Sequence, residues 1–363
     1  MKKIILFLFL TCFSSSLILA QKKKDAKTLI HEGIELHDQK EYKKAIKKYE
    51  EALKQDSTSI QAIYEMALSY LKLNDYKHAS KYSKQVIQSN DPQLSVGGYA
   101  IHSEALAEMG KVDEAIAILT DGVRKIGNNY LLEFNLALNY YKKNDLDKSL
   151  SHVKKAIDIN KNNSGAFLLQ AYILNDKKLW VQSILSFQMF LLLEPDSKRS
   201  KSAFEEMMQT MRIKQVSQKP VERSFIQQQL LGSKIENVSP PKQIPPLSTE
   251  EGLNRNFVYH AITSTLDSIK TQHPDADLFH TFKEVNKAII EVLDKENDCS
   301  KTGAFWTFYI PFFSRIIQSK YYDTYARYIS VSYFPESLEW WNEHLEEAKK
   351  FILWFEKGEE SPD

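Results

Sequence analysis

Between residues 26 and 197 the chain alternates apolar residues at helical spacing with polar tetrads, and small side chains recur within it on a fixed schedule. When units are numbered from Ala26, Ile60, Val96, Tyr130 and Ser164, the spacings are 34, 36, 34 and 34 residues. Position 8 is then Gly33, Ala67, Ser103, Ala137 and Ala171. Position 20 is Ala45, Ala79, Ala115, Ser149 and Ser183. Two helices approach closely only where small side chains stand between their axes. Position 11 is large throughout, as Leu36, Tyr70, Leu106, Tyr140 and Leu174, and position 27 is Ala52, Val86, Gly122 and Ala156 before it departs at Phe190. The tetrads 39–42, 74–77, 110–113 and 144–147 read as turns. The two extra residues of the longer spacing fall near Asp91, Pro92, Gly97 and Gly98, where insertion costs little. The pattern predicts five helix pairs, then a capping helix with Phe204, Met207, Met208 and Met211 on its apolar face.

This arrangement resembles the tetratricopeptide repeat family over about residues 26–197. The resemblance implies an all-α solenoid of about five helix-turn-helix repeats, with a concave face lined by the first helix of each. The chain departs from the family at position 4, often Trp, which here is Leu29, Ile63, Tyr99, Glu133 and Phe167. The closing proline occurs only as Pro195. Positions 2, 5, 9 and 12 share one helical stripe. They supply the candidate partner-binding groove: Tyr64, Leu68 and Leu71 in the second unit, Phe134, Leu138 and Tyr141 (beside Leu131) in the fourth, and Leu168, Tyr172 and Asn175 in the fifth. The stripe is apolar and aromatic. Ile30, Ile34 and Leu68 stand at positions 5 and 9, so the carboxylate clamp of the family's co-chaperones is not matched. Two readings stay open: a groove for a partner, or packing against neighbouring helices or the chain's own C-terminal part.

Five of the eleven prolines (Pro220, Pro240, Pro241, Pro245 and Pro246) lie within 214–251, which predicts an extended linker with a short helix near 223–231. Residues 21–213 are thus expected as the solenoid with its cap, and 252–357 as a separate helical domain. Helices are expected there near 254–271, 276–297, 303–319, 321–332 and 336–356. The last places Leu338, Trp341, Leu345, Ala348, Ile352 and Phe355 on one face, after Pro335. This part holds Trp306, Trp340, Trp341 and Trp354, four of the five tryptophans. Its run 305–313 is expected as a core helix kinked at Pro311, with a peripheral membrane contact as the alternative. Residues 358–363 form an acidic tail.

Residues 1–20 change the picture by giving an address. Lys2 and Lys3 precede an apolar run from Ile4, and Ala20 followed by Gln21 is a plausible cleavage point. The expectation is an exported chain, periplasmic or secreted, with an uncleaved anchor as the alternative. Loss of Lys2 and Lys3 takes the 48 basic residues to 46 against 47 acidic ones. That balance argues against a nucleic-acid partner. Cys299 is then the single cysteine, too few for a disulfide framework.

No phosphate loop, paired Cys-x-x-Cys or nucleophile elbow is present. His260, His273, Asp275, Asp277 and His280 form the most site-like group, against the plainer reading that Pro274 ends one helix and Asp275 or Asp277 caps the next. No cofactor or metal is expected. The leading expectation is a non-enzymatic scaffold that binds a protein or peptide in the repeat groove. The alternatives are an enzyme or small-ligand domain at 252–357, marked by His260 and His280, and an outer-membrane-associated assembly factor.

Overall fold

The computed structural model describes residues 25–213 and 253–357. The expected signal sequence, linker and acidic tail lie outside the described residues. Seventeen α-helices and one π-helical turn make up the described secondary structure, and no strand occurs among the described residues. The chain forms two compact units, Met1–Ile118 and Leu119–Asp363.

The first unit holds α1 (Ala26–Asp38), α2 (Tyr42–Leu53), α3 (Ile60–Lys72), α4 (Tyr76–Ser89), α5 (Ser95–Glu108) and the start of α6 (Val112–Ile126). They pair as the spacing predicts, with the third repeat starting one residue early. Ala45, Ala67, Ala79, Ser103 and Ala115 are all 0% exposed. At Gly33 the reason is explicit: a Cβ there would lie 2.3 Å from Cε1 of Tyr49, so α1 and α2 pack this closely only without one. Position 15 of each repeat reverses the chain through left-handed backbone, with φ of 63° at Lys40, 60° at Asn74 and 78° at Gly110. Gly and Asn accept that conformation readily, and Lys does so at a cost. Asp25, Ser59 and Asp75 cap α1, α3 and α4 by accepting from the backbone N–H of Thr28, Ala62 and His78.

The second unit continues the series with α7 (Tyr130–Lys142), α8 (Leu146–Ile159), α9 (Ser164–Asp176), α10 (Trp180–Leu193) and α11 (Lys198–Thr210). Asn144 and Lys178 repeat the left-handed turn at 61° and 64°. Here the small residues touch directly. Ser149 Oγ donates to the carbonyl of Ala137 at 2.8 Å, and Ser183 Oγ to that of Ala171 at 2.9 Å. Phe204, Met207, Met208 and Met211 of the capping helix are wholly buried.

The remaining helices are α12 (Arg255–Gln272), α13 (Leu278–Glu296), α14 (Ile310–Gln318), α15 (Tyr322–Tyr328), α16 (Pro335–Glu343) and α17 (Leu345–Lys357). The sequence reading set them apart. In the structure they share one hydrophobic core with α7 to α11, continuous from Ala137 to Trp354. The reason lies in α10, whose residues 181–192 are all buried. A helix apolar all round needs cover on every side.

Two local differences have physical causes. The run before Pro311 forms a π-helical turn, Phe305–Tyr309, feeding α14 with proline in its first turn, where a missing N–H costs nothing. The expected helix 336–356 is two helices broken at His344. The break turns Leu338 and Leu345 outward, 46% and 51% exposed, whereas Ala348 is buried as expected and Phe351 and Trp354 are buried beside it.

Candidate functional site

The nine candidate groove residues divide by unit. In the first, α3 carries Tyr64 and Leu68, both half-buried, and Leu71, which is buried. The Tyr64 ring occupies the space a side chain at Gly97 would need, its Cε2 lying 2.6 Å from that Cβ position. Burial, then the Glu65 charge, raises the Tyr64 phenol above its ordinary range.

Beside them lies a polar group that the apolar stripe did not reveal. Asp38 ends α1 and is exposed, while Glu65 follows Tyr64 on α3 and is half-buried. Burial, then the Asp38 charge, pushes the Glu65 carboxyl up. Among the described residues neither has a hydrogen-bond or ion-pair partner. Tyr49 is fully buried, its ring crossing Gly33. Its phenol is pushed up by burial and by the Glu65 and Asp38 charges. Ser69, beside Tyr49 Oη, opposes that rise, and its Oγ is engaged with His37 Nδ1 at 2.7 Å. Burial holds the His37 imidazole below its ordinary pKa, with Asp38 opposing and Lys72 reinforcing.

In the second unit the stripe is largely filled. Phe134 is half-buried and stacks on Tyr130 at 5.7 Å. Leu138 and Tyr141 are buried, and Tyr141 Oη donates to Asp176 at 2.8 Å. Leu168 and Tyr172 are 2% and 5% exposed, and Tyr172 meets the Phe187 ring edge-on. Asn175 donates to Glu206 of the capping helix at 3.0 Å. Leu138, Tyr141, Leu168 and Tyr172 are thus packed within the core of the second unit. α11 is held down by Glu194, which accepts from Ser164, Ser197 and Arg199. Burial alone would raise the Glu194 carboxyl, but these donors hold it below the usual range.

The histidine group does not form a centre. Asp277 caps α13 through His280 N at 2.6 Å, and His273 and His280 meet edge to face. Among the described residues no three His, Cys, Asp or Glu side chains are placed to hold a metal. His260 lines an open depression of 480 Å³ with Phe257, Ser264, Asp267 and Val292. Of the described helices, none is long and apolar enough to cross a membrane.

Residues 134–163 match the tetratricopeptide repeat family model, over the helices whose small residues touch through Ser149 and Ala137. Those residues carry a tetratricopeptide repeat. Residues 38–122 also match the family described as anaphase-promoting complex, cyclosome, subunit 3. Three solved structures are similar over part of the chain. A thermophilic tetratricopeptide protein of Thermus thermophilus is 19% identical, with 52% of this chain and 99% of that one aligned and a TM-score of 0.45. Pseudomonas aeruginosa pilF gives 15%, 58%, 93% and 0.46. YrrB, a tetratricopeptide protein with an unusual peptide-binding site, gives 18%, 51%, 93% and 0.37. No curated protein matches the chain. The structure also accounts for Glu133, which replaces the large apolar residue at position 4 of the fourth tetratricopeptide repeat. It is 1% exposed and pairs with His152 Nδ1 at 2.6 Å, so a hydrogen bond joins α7 to α8 where the family uses packing.

Proposed function

We propose that the chain is an exported, non-enzymatic scaffold that captures a protein or peptide through the inner face of its first repeats. Tetratricopeptide repeats present rigid helix pairs, a framework suited to holding an extended partner. The observation that carries the reading is the contrast along the stripe. Tyr172 and Leu168 are sealed in the core, whereas Tyr64 and Leu68 keep part of their surface. The same contrast removes Leu138, Tyr141, Leu168 and Tyr172 from the proposed contact surface.

The export half of the proposal rests on the residue pattern of positions 1–20. The test joins both halves. A photo-crosslinking residue placed at Leu68 of the full chain, expressed in cells, is expected to trap a partner in the envelope or secreted fraction, on a chain beginning near Gln21. The same probe at Tyr172 is expected to trap nothing. Equal trapping at both positions, or a cytoplasmic chain of full length, would count against the reading.

A further inference from the structure

The outer face of α14, and of the π-helical turn before it, is apolar where the core does not require it. Phe305, Tyr309, Phe313 and Ile317 carry the inner face and are buried. Phe308, Pro311, Phe312 and Arg315, spaced by three and four residues, share the opposite face. Phe308 is 43% exposed, Pro311 and Arg315 are exposed, and Phe312 is half-buried. The rings form one surface. Phe308 stacks on Phe312 at 5.6 Å, and Phe312 meets the half-buried Phe355 of α17 edge-on at 5.9 Å. A helix with one face in water ordinarily carries polar side chains there. Single exposed apolar residues need no explanation, but a joined set marks a contact.

The charge around these rings has one sign. From Cys299 to Tyr322 the chain has three cations, Lys301, Arg315 and Lys320, and no acidic residue. Each cation lies against an aromatic ring: Lys301 over Trp306 at 4.9 Å, Arg315 over Trp354 at 4.8 Å and Lys320 over Tyr321 at 5.6 Å. The flanking acids are engaged. Asp298 accepts from the Ser300 N–H, and Asp323 accepts from Lys283 and Arg327, both at 2.9 Å. Arg315 has no ion pair among the described residues.

We propose that Phe308, Phe312, Phe355 and Arg315 form a peripheral contact for an anionic lipid bilayer. The phenylalanine rings enter the headgroup boundary, and Arg315, with Lys301 and Lys320 beside it, meets the lipid phosphates. Charge complementarity selects this occupant: aromatic rings flanked by cations match a surface whose outer layer is anionic and whose next layer is apolar. A second copy seated face to face on the same residues would set like charges together. α14 has 9 residues, a length of roughly 14 Å, so it lies in the interface and does not cross it. The contact uses α14 and α17 and no residue of the repeat groove, so it goes beyond the scaffold reading and stands or falls separately from it.

Co-sedimentation with vesicles tests this. The chain from Gln21 keeps every described residue and omits the apolar run from Ile4, which would obscure the readout. It is expected to sediment with vesicles of equimolar phosphatidylcholine and phosphatidylglycerol, and much less with phosphatidylcholine alone. Phe308→Ser is expected to weaken binding to the anionic vesicles about tenfold at an unchanged melting temperature, since the ring is exposed. Arg315→Gln is expected to weaken it about fivefold, and Arg315→Lys to retain it. Leu278→Ser is the control and is expected to change nothing. Leu278 is an exposed side chain at the start of α13, whereas the patch adjoins the other end, where Asn297 Nδ2 donates to the Trp306 carbonyl at 3.1 Å. No sedimentation with anionic vesicles, equal binding to neutral ones, or parent-like binding by Phe308→Ser overturns the proposal. A chain that ignores vesicles and forms a dimer dissociated by Phe308→Ser overturns it too, and assigns the face to a second copy.

Discussion

Tyr309 donates its phenolic hydrogen to Oε1 of Gln170 at 2.7 Å, joining side chains 139 residues apart in the core of the second unit. Tyr325 does the same to Gln188 at 2.9 Å across 137 residues. Both glutamines lie on the two helices of the fifth repeat, and both tyrosines come from beyond residue 253. The last repeat is therefore covered by the chain's own C-terminal helices. Gln170 Oε1 also accepts from Ser186 Oγ at 3.1 Å. Ser186 keeps the Gln182 carbonyl as a second acceptor at 2.9 Å, so Gln170 matters chiefly to Tyr309. Tyr309→Phe should cost about 1 kcal/mol, and Gln170→Ala about 2–3 kcal/mol because it leaves the buried Tyr309 hydroxyl without its acceptor. Urea midpoints of the two variants check the order, and an equal loss would mean that the Tyr309 hydroxyl finds another acceptor when Gln170 is removed.

Glu133 and His152 should behave as a buried pair. Removing one partner leaves the other uncompensated, so Glu133→Ala should cost about 3 kcal/mol and Glu133→Gln less, since the amide can still reach the ring. A Glu133→Leu change combined with His152→Leu should recover most of the loss. Chemical denaturation decides. Full additivity of the single losses would show that the two side chains are not coupled.

The two close-packed glycines should differ. Gly33→Ala drives a methyl into the wholly buried Tyr49 ring, and its loss should exceed the roughly 1 kcal/mol that alanine gains in a helix. Gly97→Ala meets the ring end of the half-exposed Tyr64, which can swing away, and should be near neutral. Conversely, Lys178→Gly should stabilise by about 0.5–1 kcal/mol, because its backbone is left-handed. Thermal melts compare the three variants directly.

Two carboxylates should pull stability in opposite directions with pH. The folded state raises Glu65, so its contribution is fully present below the unfolded pKa and is lost as pH rises through the folded one. Glu65→Gln should therefore raise the melting temperature at neutral pH and leave it unchanged in acid. The folded state lowers Glu194, so its contribution is lost as pH falls. Glu194→Gln should destabilise at neutral pH, with the difference closing in acid. Parallel melting curves across pH for either variant and the parent would refute the assignment.

The repeat was legible because close helix approach is written in single residues: Ala45, Ala79 and Ser149 are small and wholly buried, and the start of α1, α3, α7 and α9 follows from them. The covering of the fifth repeat was also written in the chain, in the uncharged and largely apolar residues 179–193, where stripe positions alone left a partner groove and internal packing both open. Glu133 read as a defect because its partner His152 lies 19 residues on, in the second helix of the same repeat.

The central claim, that the C-terminal helices belong to the core of the last repeats, is tested most directly by cutting the chain between them. A specific protease site introduced within residues 214–251 and fully cleaved should give two fragments that stay together in native size-exclusion chromatography. They should separate only with denaturant. Two folded fragments that separate in native buffer, with the α10 fragment soluble alone, would contradict the account.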